Sequence, residues 1–289
     1  MSKIIDYQCT YVNSVGINRA AVQGLDLEFP QAYKTWQGMV QLALALKNYD
    51  KTEFCELPFC HTVEGEALGG QVKYGDESAG PRGADYICAT AEELLDLPEI
   101  DYSRGRIAEV LKACRSLRES GEQVVLYISG PFTILNMVME PRHIFRIFRK
   151  QPEQMQLIFV KLQKELLRYV EAAQQVGVTM FSYGDSTGGV NILGPEMAAK
   201  TVEFFTYPFL KQVEKILANE SLMLLCPKTA FALLGTEKAV WQDINLEEPV
   251  GYFSACQKIV GKAKFVGQMC IKNRAFVLQN GIVKTLELL

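Results

Sequence analysis

The chain has 289 residues, of which 48% are hydrophobic and 22% charged, as in an ordinary globular protein. Its net charge of −3 and sequence pI of about 5.6 argue against nucleic-acid binding, because a basic surface supplies most of that affinity. The first residues lack a signal-peptide core, and no run approaches the ~18 apolar residues of a membrane span. We therefore expect one cytoplasmic domain over residues 1–289.

The first half of the chain alternates strands with helices. Residues 36–46 predict a helix, and residues 54–59 predict a short strand that runs into a Gly-punctuated turn. Residues 71–103 are too long for a routine connection, and we expect a lid there. A helix over 104–119 and a buried strand over 124–128 follow.

The second half continues this alternation, which is typical of parallel βαβ units. Its expected elements are a helix over 152–176, a strand over 180–185, a helix from Pro195 to about 217, strands over 222–226 and 240–244, a helix over 252–260, a strand over 265–270 and a last helix to Leu289.

Three of these strands end at residues that could carry chemistry. Asp185, Cys226 and Cys270 each close an apolar run. In parallel α/β barrels the loops after the strand ends hold the active site, so we expect these three residues at one mouth. The alternative is that the cysteines are small buried hydrophobic residues and that Asp185 is a hydrogen-bonded turn acid.

Nucleotide-binding glycine motifs are absent from the sequence. With two histidines, a Ser/His triad would need His61 or His143, and His143 lies on a basic helical stretch. The eight cysteines form no C-x-x-C pair, so we expect reduced thiols with some metal or catalytic ligands among them.

Several motifs resemble the methylcobamide:coenzyme M methyltransferases of the uroporphyrinogen decarboxylase superfamily. Residues 57–69 are similar to that family's P-F-D-x-T-V-E-A-E-A-L-G stretch, and residues 130–133 to its G-P-F-T. Residues 185–189 look like its D-P-T-A-S, residues 224–229 lie where it has H-I-C-G-N-T, and residues 266–270 where it has V-G-N-V-D-P. The common order of these motifs covers most of residues 20–285.

The resemblance implies an α/β fold, a (β/α)8 TIM barrel, with abbreviation at both ends as an open alternative. It implies methyl transfer from a methylated corrinoid protein to a thiol such as coenzyme M, or to tetrahydrofolate. In the family, zinc held by the H-x-C motif and a later cysteine binds the acceptor thiol and removes its proton. By this resemblance Asp185 is the expected catalytic residue, and the expected substrate-binding residues are His61, Glu64, Glu66, Tyr183 and Thr187.

The metal motif departs from the family pattern. Leu224 occupies the histidine position and cannot bind metal, whereas Cys226 keeps the second position. The family's third ligand lies in a late G-C-G turn, before which this chain is expected to end. Either zinc is held by a reshuffled set, Cys226 and Cys270 with Cys60 or His61, or zinc is gone.

Two other functions stay open. One is a non-catalytic paralogue that binds a corrinoid protein or a tetrapyrrole. The other is uroporphyrinogen decarboxylase itself, which is disfavoured because the sequence lacks the arginine-rich R-Q-A-G-R motif that cradles the acidic substrate. The densest basic cluster, Arg142, Arg146, Arg149 and Lys150, has helical spacing and is typical of a solvated helix face. Its alternative interpretation is a docking surface for an acidic partner.

Overall fold

The computed structural model describes residues 4–9 and 16–289. By their internal contacts these divide into two compact units. The N-terminal unit comprises residues 16–178. The C-terminal unit comprises residues 179–289 together with residues 4–9. Among the described residues, no helix is long and apolar enough to cross a membrane.

The N-terminal unit is mostly helical and contains one pair of parallel strands. Its elements are α1 (Arg19–Val22), α2 (Trp36–Asp50), β1 (Cys55–Leu57), α3 (Val63–Ala67), β2 (Val72–Lys73), β3 (Arg82–Gly83), α4 (Ala91–Asp96), α5 (Gly105–Glu119), β4 (Val124–Ser129), α6 (Pro131–Val138), α7 (Pro141–Lys150) and α8 (Pro152–Gln175). β1 pairs with β4 in parallel register, with Leu57 opposite Leu126. The stretch predicted as a lid contains the β2–β3 hairpin and α4.

The long helix α8 shows how the sequence pattern produces packing in this unit. Pro152 occupies its first turn, where the missing N–H costs no hydrogen bond. Apolar residues recur at helical spacing and are buried, and one of them, Phe159, meets Phe132 of α6 and Phe148 of α7 at ring distances of 6.2 and 6.1 Å. These rings join the three helices into one core.

The C-terminal unit alternates strands and helices and then finishes in strands. Its elements are β5 (Met180–Gly184), α9 (Val190–Thr201), a π-helical turn (Val202–Thr206), α10 (Tyr207–Ile216), β6 (Leu222–Leu225), α11 (Pro227–Gly235), β7 (Ala239–Asn245), β8 (Val250–Gly251), α12 (Tyr252–Lys258), β9 (Phe265–Val266), β10 (Val277–Leu278) and β11 (Ile282–Leu288). β5, β6 and β9 are parallel neighbours in that order, whereas β11 runs antiparallel to both β9 and β7.

The predicted last helix is wrong, because residues 282–288 form β11. That segment follows an Asn280-Gly281 turn, with Gly281 at φ 65°, and it is rich in β-branched residues that favour a strand. All seven of its residues pair with β7. The strand predicted over 265–270 is also shorter than expected, because pairing with β6 stops at Val266.

Candidate functional site

The parallel strands of the C-terminal unit end at a common edge. Tyr183 of β5 lies opposite Leu225 of β6, and Leu224 lies opposite Val266 of β9. The Cys226 N–H then donates to the Tyr183 carbonyl at 2.8 Å. Asp185 and Cys226, which directly follow β5 and β6, therefore lie at the carboxyl ends of neighbouring strands. We call this end of the parallel strands the thiol edge.

Asp185 leaves β5 in a tight turn made possible by glycine. The Gly188 N–H donates to the Asp185 carbonyl at 3.2 Å, and a Cβ at Gly188 would lie 2.2 Å from Asp185 Oδ2. Only a glycine lets the carboxylate occupy that space. Thr187, in the same turn, has a buried hydroxyl oxygen without a hydrogen-bond partner among the described residues. The turn thus holds a half-buried carboxylate beside an unsatisfied hydroxyl.

Tyr183 lies beneath this turn and is 1% exposed. Burial raises the pKa of its phenol well above 10, and the nearby Asp185 charge raises it further. Its ring packs on Phe209 at 5.4 Å. Tyr183 therefore stays neutral at physiological pH, and its predicted substrate-binding role stays a prediction.

Cys226 occupies the N-cap of α11, whose first residue is Pro227. Burial raises the pKa of its thiol to about 11, although backbone N–H groups of Lys228 and Thr229 favour the thiolate. The charges that Cys270 and Cys9 would carry as thiolates raise it further. Cys226 is therefore protonated at neutral pH unless a ligand replaces its proton.

Sequence reasoning missed Tyr7 and Cys9, which belong to the thiol edge although they lie near the start of the chain. The Tyr7 hydroxyl donates to Met269 Sδ at 3.5 Å, and its ring stacks on Phe231 at 5.7 Å. Burial raises the pKa of Tyr7, and the charges of Cys9, Cys270 and Cys226 act in the same direction. No local pattern in residues 4–9 signals this position, because only the fold brings them here.

Lys228 is a third residue that the sequence did not single out. Its Nζ donates to Asn191 Oδ1 at 2.9 Å. A Cβ at Gly189 would lie 3.1 Å from Lys228 Cδ, so the lysine stem crosses the glycine backbone at the start of α9. The thiol edge therefore contains a cation close to the Asp185 turn.

The donor set at this edge does not fit the family's zinc as it stands. Leu224 lies inside β6 and is 2% exposed. In residues 4–9 and 16–289, no group of three or more His, Cys, Asp or Glu side chains is arranged to hold a metal ion. The role of Cys226 and Cys270 as zinc ligands stays a prediction.

The other predicted site residues lie in the N-terminal unit, around the end of β1 and α3. His61 is half-buried and packs its ring on Tyr127 at 4.5 Å. Glu64 is 1% exposed and accepts hydrogen bonds from the Ser129 N–H at 2.8 Å and the Ser129 hydroxyl at 3.1 Å. Burial raises the pKa of Glu64. This carboxyl group joins the start of α3 to the end of β4.

Glu66 pairs with Arg106, whose side chain is 3% exposed. Arg106 Nε lies 2.5 Å from Glu66 Oε2, Nη1 donates to Cys60 Sγ at 3.2 Å and Nη2 donates to Thr62 Oγ1 at 2.5 Å. The guanidinium also lies 5.2 Å from the Tyr74 ring centre, and Tyr74 donates to Glu66. We call these five residues the arginine cluster. Its charges are neutralised from within.

Comparison with known proteins places the chain in a family. The sequence profile described as "Uroporphyrinogen decarboxylase (URO-D)" matches residues 14–268. The chain belongs to the uroporphyrinogen decarboxylase family. The α/β, TIM-barrel fold predicted from the sequence is therefore confirmed, with β11, which runs antiparallel to β9 and β7, as a departure from a strictly parallel arrangement.

Curated relatives within this family are methyltransferases. The "Methylcobamide:CoM methyltransferase MtaA" of Methanosarcina barkeri strain Fusaro is 23% identical over 248 residues, which is 83% of this chain and 71% of that protein. The "Methylcobamide:CoM methyltransferase MtbA" of Methanosarcina mazei is 23% identical over 265 residues, or 90% and 76%. A solved "methyltransferase from Methanosarcina mazei" shares the fold, with a TM-score of 0.62, 19% identity and coverage of 78% and 68%.

Proposed function

We propose that this protein transfers a methyl group from a methylated corrinoid protein to a small acceptor, either a thiol such as coenzyme M or tetrahydrofolate. The observation that carries the proposal is the position of Asp185 and Cys226 after neighbouring parallel strands, in a family whose curated relatives are named methylcobamide:CoM methyltransferases. In barrels of this fold the chemistry lies at such strand ends.

Methyl transfer requires the acceptor to lose its proton. The methyl carbon forms a bond to the acceptor sulfur, or to nitrogen in tetrahydrofolate, and the electron pair of the carbon–cobalt bond stays on cobalt. In this proposal the Asp185 carboxylate accepts a hydrogen bond from the acceptor and then takes that proton. The unsatisfied Thr187 hydroxyl and the Lys228 ammonium offer further polar contacts to the acceptor.

Turnover of methylcobalamin tests this proposal directly. Purified protein is mixed with methylcobalamin and either coenzyme M or tetrahydrofolate, and the loss of the methylcobalamin spectrum is followed together with the methylated product. Metal content is measured on the same sample before and after chelation. Absence of demethylation with both acceptors, with and without added zinc, would refute the proposal.

Two observations favour a non-catalytic role. Leu224 replaces the histidine of the family's metal motif, and the pKa of the Cys226 thiol is raised rather than lowered. A corrinoid- or tetrapyrrole-binding paralogue would bind cobalamin in a titration and leave methylcobalamin intact. Product analysis with uroporphyrinogen in the same experiment tests decarboxylase activity.

A further inference from the structure

Helix α7 presents a continuous basic face to solvent. Arg142, Arg146 and Arg149 follow one another at i, i+4 and i+7, Lys150 lies beside them, and all four are exposed. The opposite side of the helix is anchored in the core through three buried residues, Ile144, Ile147 and Phe148. Because the apolar side of α7 is buried in the core, the orientation of its basic face is fixed.

The charges of this face are largely uncompensated. Arg142 pairs with Glu140 at 2.8 Å, but Arg146, Arg149 and Lys150 form no ion pair with any residue of the described chain. Other surface cations of the unit, such as Lys164 and Arg168, pair with Glu99. A chain of net charge −3 thus concentrates unpaired positive charge on one helix.

Contacts within the N-terminal unit place α7 at the end where β4 finishes. Arg118 Nε donates to the Gly177 carbonyl at 2.9 Å, just after α8, and its Nη1 donates to Gln123 Oε1 at 3.2 Å, just before β4. The end of α8 therefore lies beside the start of β4. The start of α8 packs on α6, which begins directly after β4. α7, which precedes α8, lies at that same carboxyl end.

The first turns of α8 add exposed apolar surface next in sequence to this basic helix. Leu157 and Val160 are 54% and 59% exposed and share the outward side of α8. Glu153 is the acid of the first turn of α8. Exposed apolar side chains following a helix with unpaired arginines favour a protein partner, since arginine and apolar contacts are common at such interfaces.

We infer that the outward face of α7, with Leu157 and Val160, docks an acidic surface of the protein that delivers the methyl group. The inference rests on the proposed function. A carrier protein must approach the carboxyl ends of the strands to present its corrinoid, and α7 lies at that end of β4. Unpaired arginines on a fixed helix would steer an acidic partner and set its orientation.

The test compares two methyl donors, which are methylcobalamin in solution and the methylated corrinoid protein of the source organism. The variant is Arg146→Glu with Arg149→Glu. The matched control is Arg115→Glu with Lys215→Glu, which makes the same change in charge at exposed cations of helices that lead into the starts of β4 and β6. Thermal melts check that both variants are folded.

We expect the α7 variant to lower kcat/KM by about tenfold or more for the protein-bound donor and to leave turnover of methylcobalamin in solution unchanged. The control should stay within about twofold for both donors, and raising NaCl from about 50 to about 300 mM should reduce the wild-type rate only with the protein-bound donor. Equal effects of both variants, or no effect of the α7 variant, would overturn the docking surface.

Two further outcomes are separable. Turnover of both donors at rates that the α7 variant leaves unchanged would overturn the docking surface and leave the proposed function standing. No turnover of either donor would remove the proposed function. Cosedimentation of wild-type protein with phosphatidylserine vesicles, lost in the α7 variant, would reassign the basic face to an anionic membrane surface.

Discussion

The arginine cluster of the N-terminal unit and the thiol edge of the C-terminal unit handle buried polarity in opposite ways. In the arginine cluster a full positive charge is buried, and the Glu66 carboxylate, a thiol and a hydroxyl each accept one of its N–H groups. At the thiol edge burial instead raises the pKa values of Cys226, Tyr7 and Tyr183, so these groups keep their protons.

The difference separates a structural site from a reactive one. A buried cation that is matched by internal acceptors loses stability when any partner is removed, and it has little left to offer a ligand. The thiol edge instead keeps the Cys226 thiol protonated, and a ligand can replace that proton. We therefore expect substitutions in the arginine cluster to change stability and substitutions at the thiol edge to change activity.

The largest effect should come from Arg106→Met. Removing the guanidinium leaves Glu66 without its cation, and we expect about 3 kcal/mol less free energy of unfolding, the lower end for a broken buried pair because Glu66 is partly exposed. Urea denaturation with an unchanged slope measures it. The control Arg104→Met, whose pair with Asp101 at 3.3 Å is exposed, should change stability by less than about 0.5 kcal/mol. Equal losses of unfolding free energy in the two variants would mean that burial of the Arg106–Glu66 pair does not contribute to stability.

Asp185→Asn should lower the methyl-transfer rate by about 100-fold, since an amide keeps the shape of the carboxylate but cannot take a proton. Unfolding free energy should stay near that of the wild type. Asp243→Asn, on exposed β7, serves as the control with the same chemical change. If both variants keep wild-type kcat, Asp185 is a turn acid and the proposal loses its proton acceptor.

The alkylation of Cys226 by iodoacetamide should rise about tenfold per pH unit from pH 7 to pH 10, because only the thiolate reacts and its pKa is about 11. Peptide mass spectrometry follows the modified cysteine, and glutathione provides the reference for an ordinary thiol. The same shift predicts a stability term that is complete below pH 9 and is lost as pH approaches 11. Rapid labelling at pH 7.5 would contradict the burial argument.

The smallest effect should come from Glu64→Gln, which replaces a buried carboxyl group by a neutral amide. Because the pKa of Glu64 is raised, its contribution to stability is complete below the ordinary carboxyl pKa and declines as pH rises through the folded value. Between pH 4.5 and pH 7.5 the free energy of unfolding of the glutamine variant should therefore rise relative to that of the wild type by about 1 kcal/mol or less. Unfolding free energies at the two pH values measure the difference. A variant whose relative stability increases as the pH falls would contradict a raised pKa for Glu64.

Sequence patterns predicted the parts of this molecule that depend on local spacing. The helix at Trp36, the long helix from Pro152 and the strand ends before Asp185 and Cys226 all lie where expected. Apolar periodicity and proline positions carry that information within a few residues of each element. The family and its fold followed from short motifs in a common order.

Other features depend on contacts that no local window contains. The apolar positions of β11 also suit a helix, and although the Asn280-Gly281 turn and the β-branched residues favour a strand, the pairing with β7 some forty residues earlier decides it. Tyr7 and Cys9 reach the thiol edge only through the fold, and Lys228 is distinguished only by the Gly189 backbone beneath it. The single-domain prediction and the roles of the eight predicted site residues stay predictions.

The Tyr7 ring stack on Phe231 has a practical consequence for dissecting the protein. The C-terminal unit is discontinuous in sequence, because residues 4–9 lie some 170 residues before the rest of the unit. A fragment that starts at Thr179 would lack residues 4–9 and would uncover the face of Phe231 on which Tyr7 stacks. A fusion that joins residues 4–9 to residues 179–289 through a short linker would keep both rings of this stack in one chain.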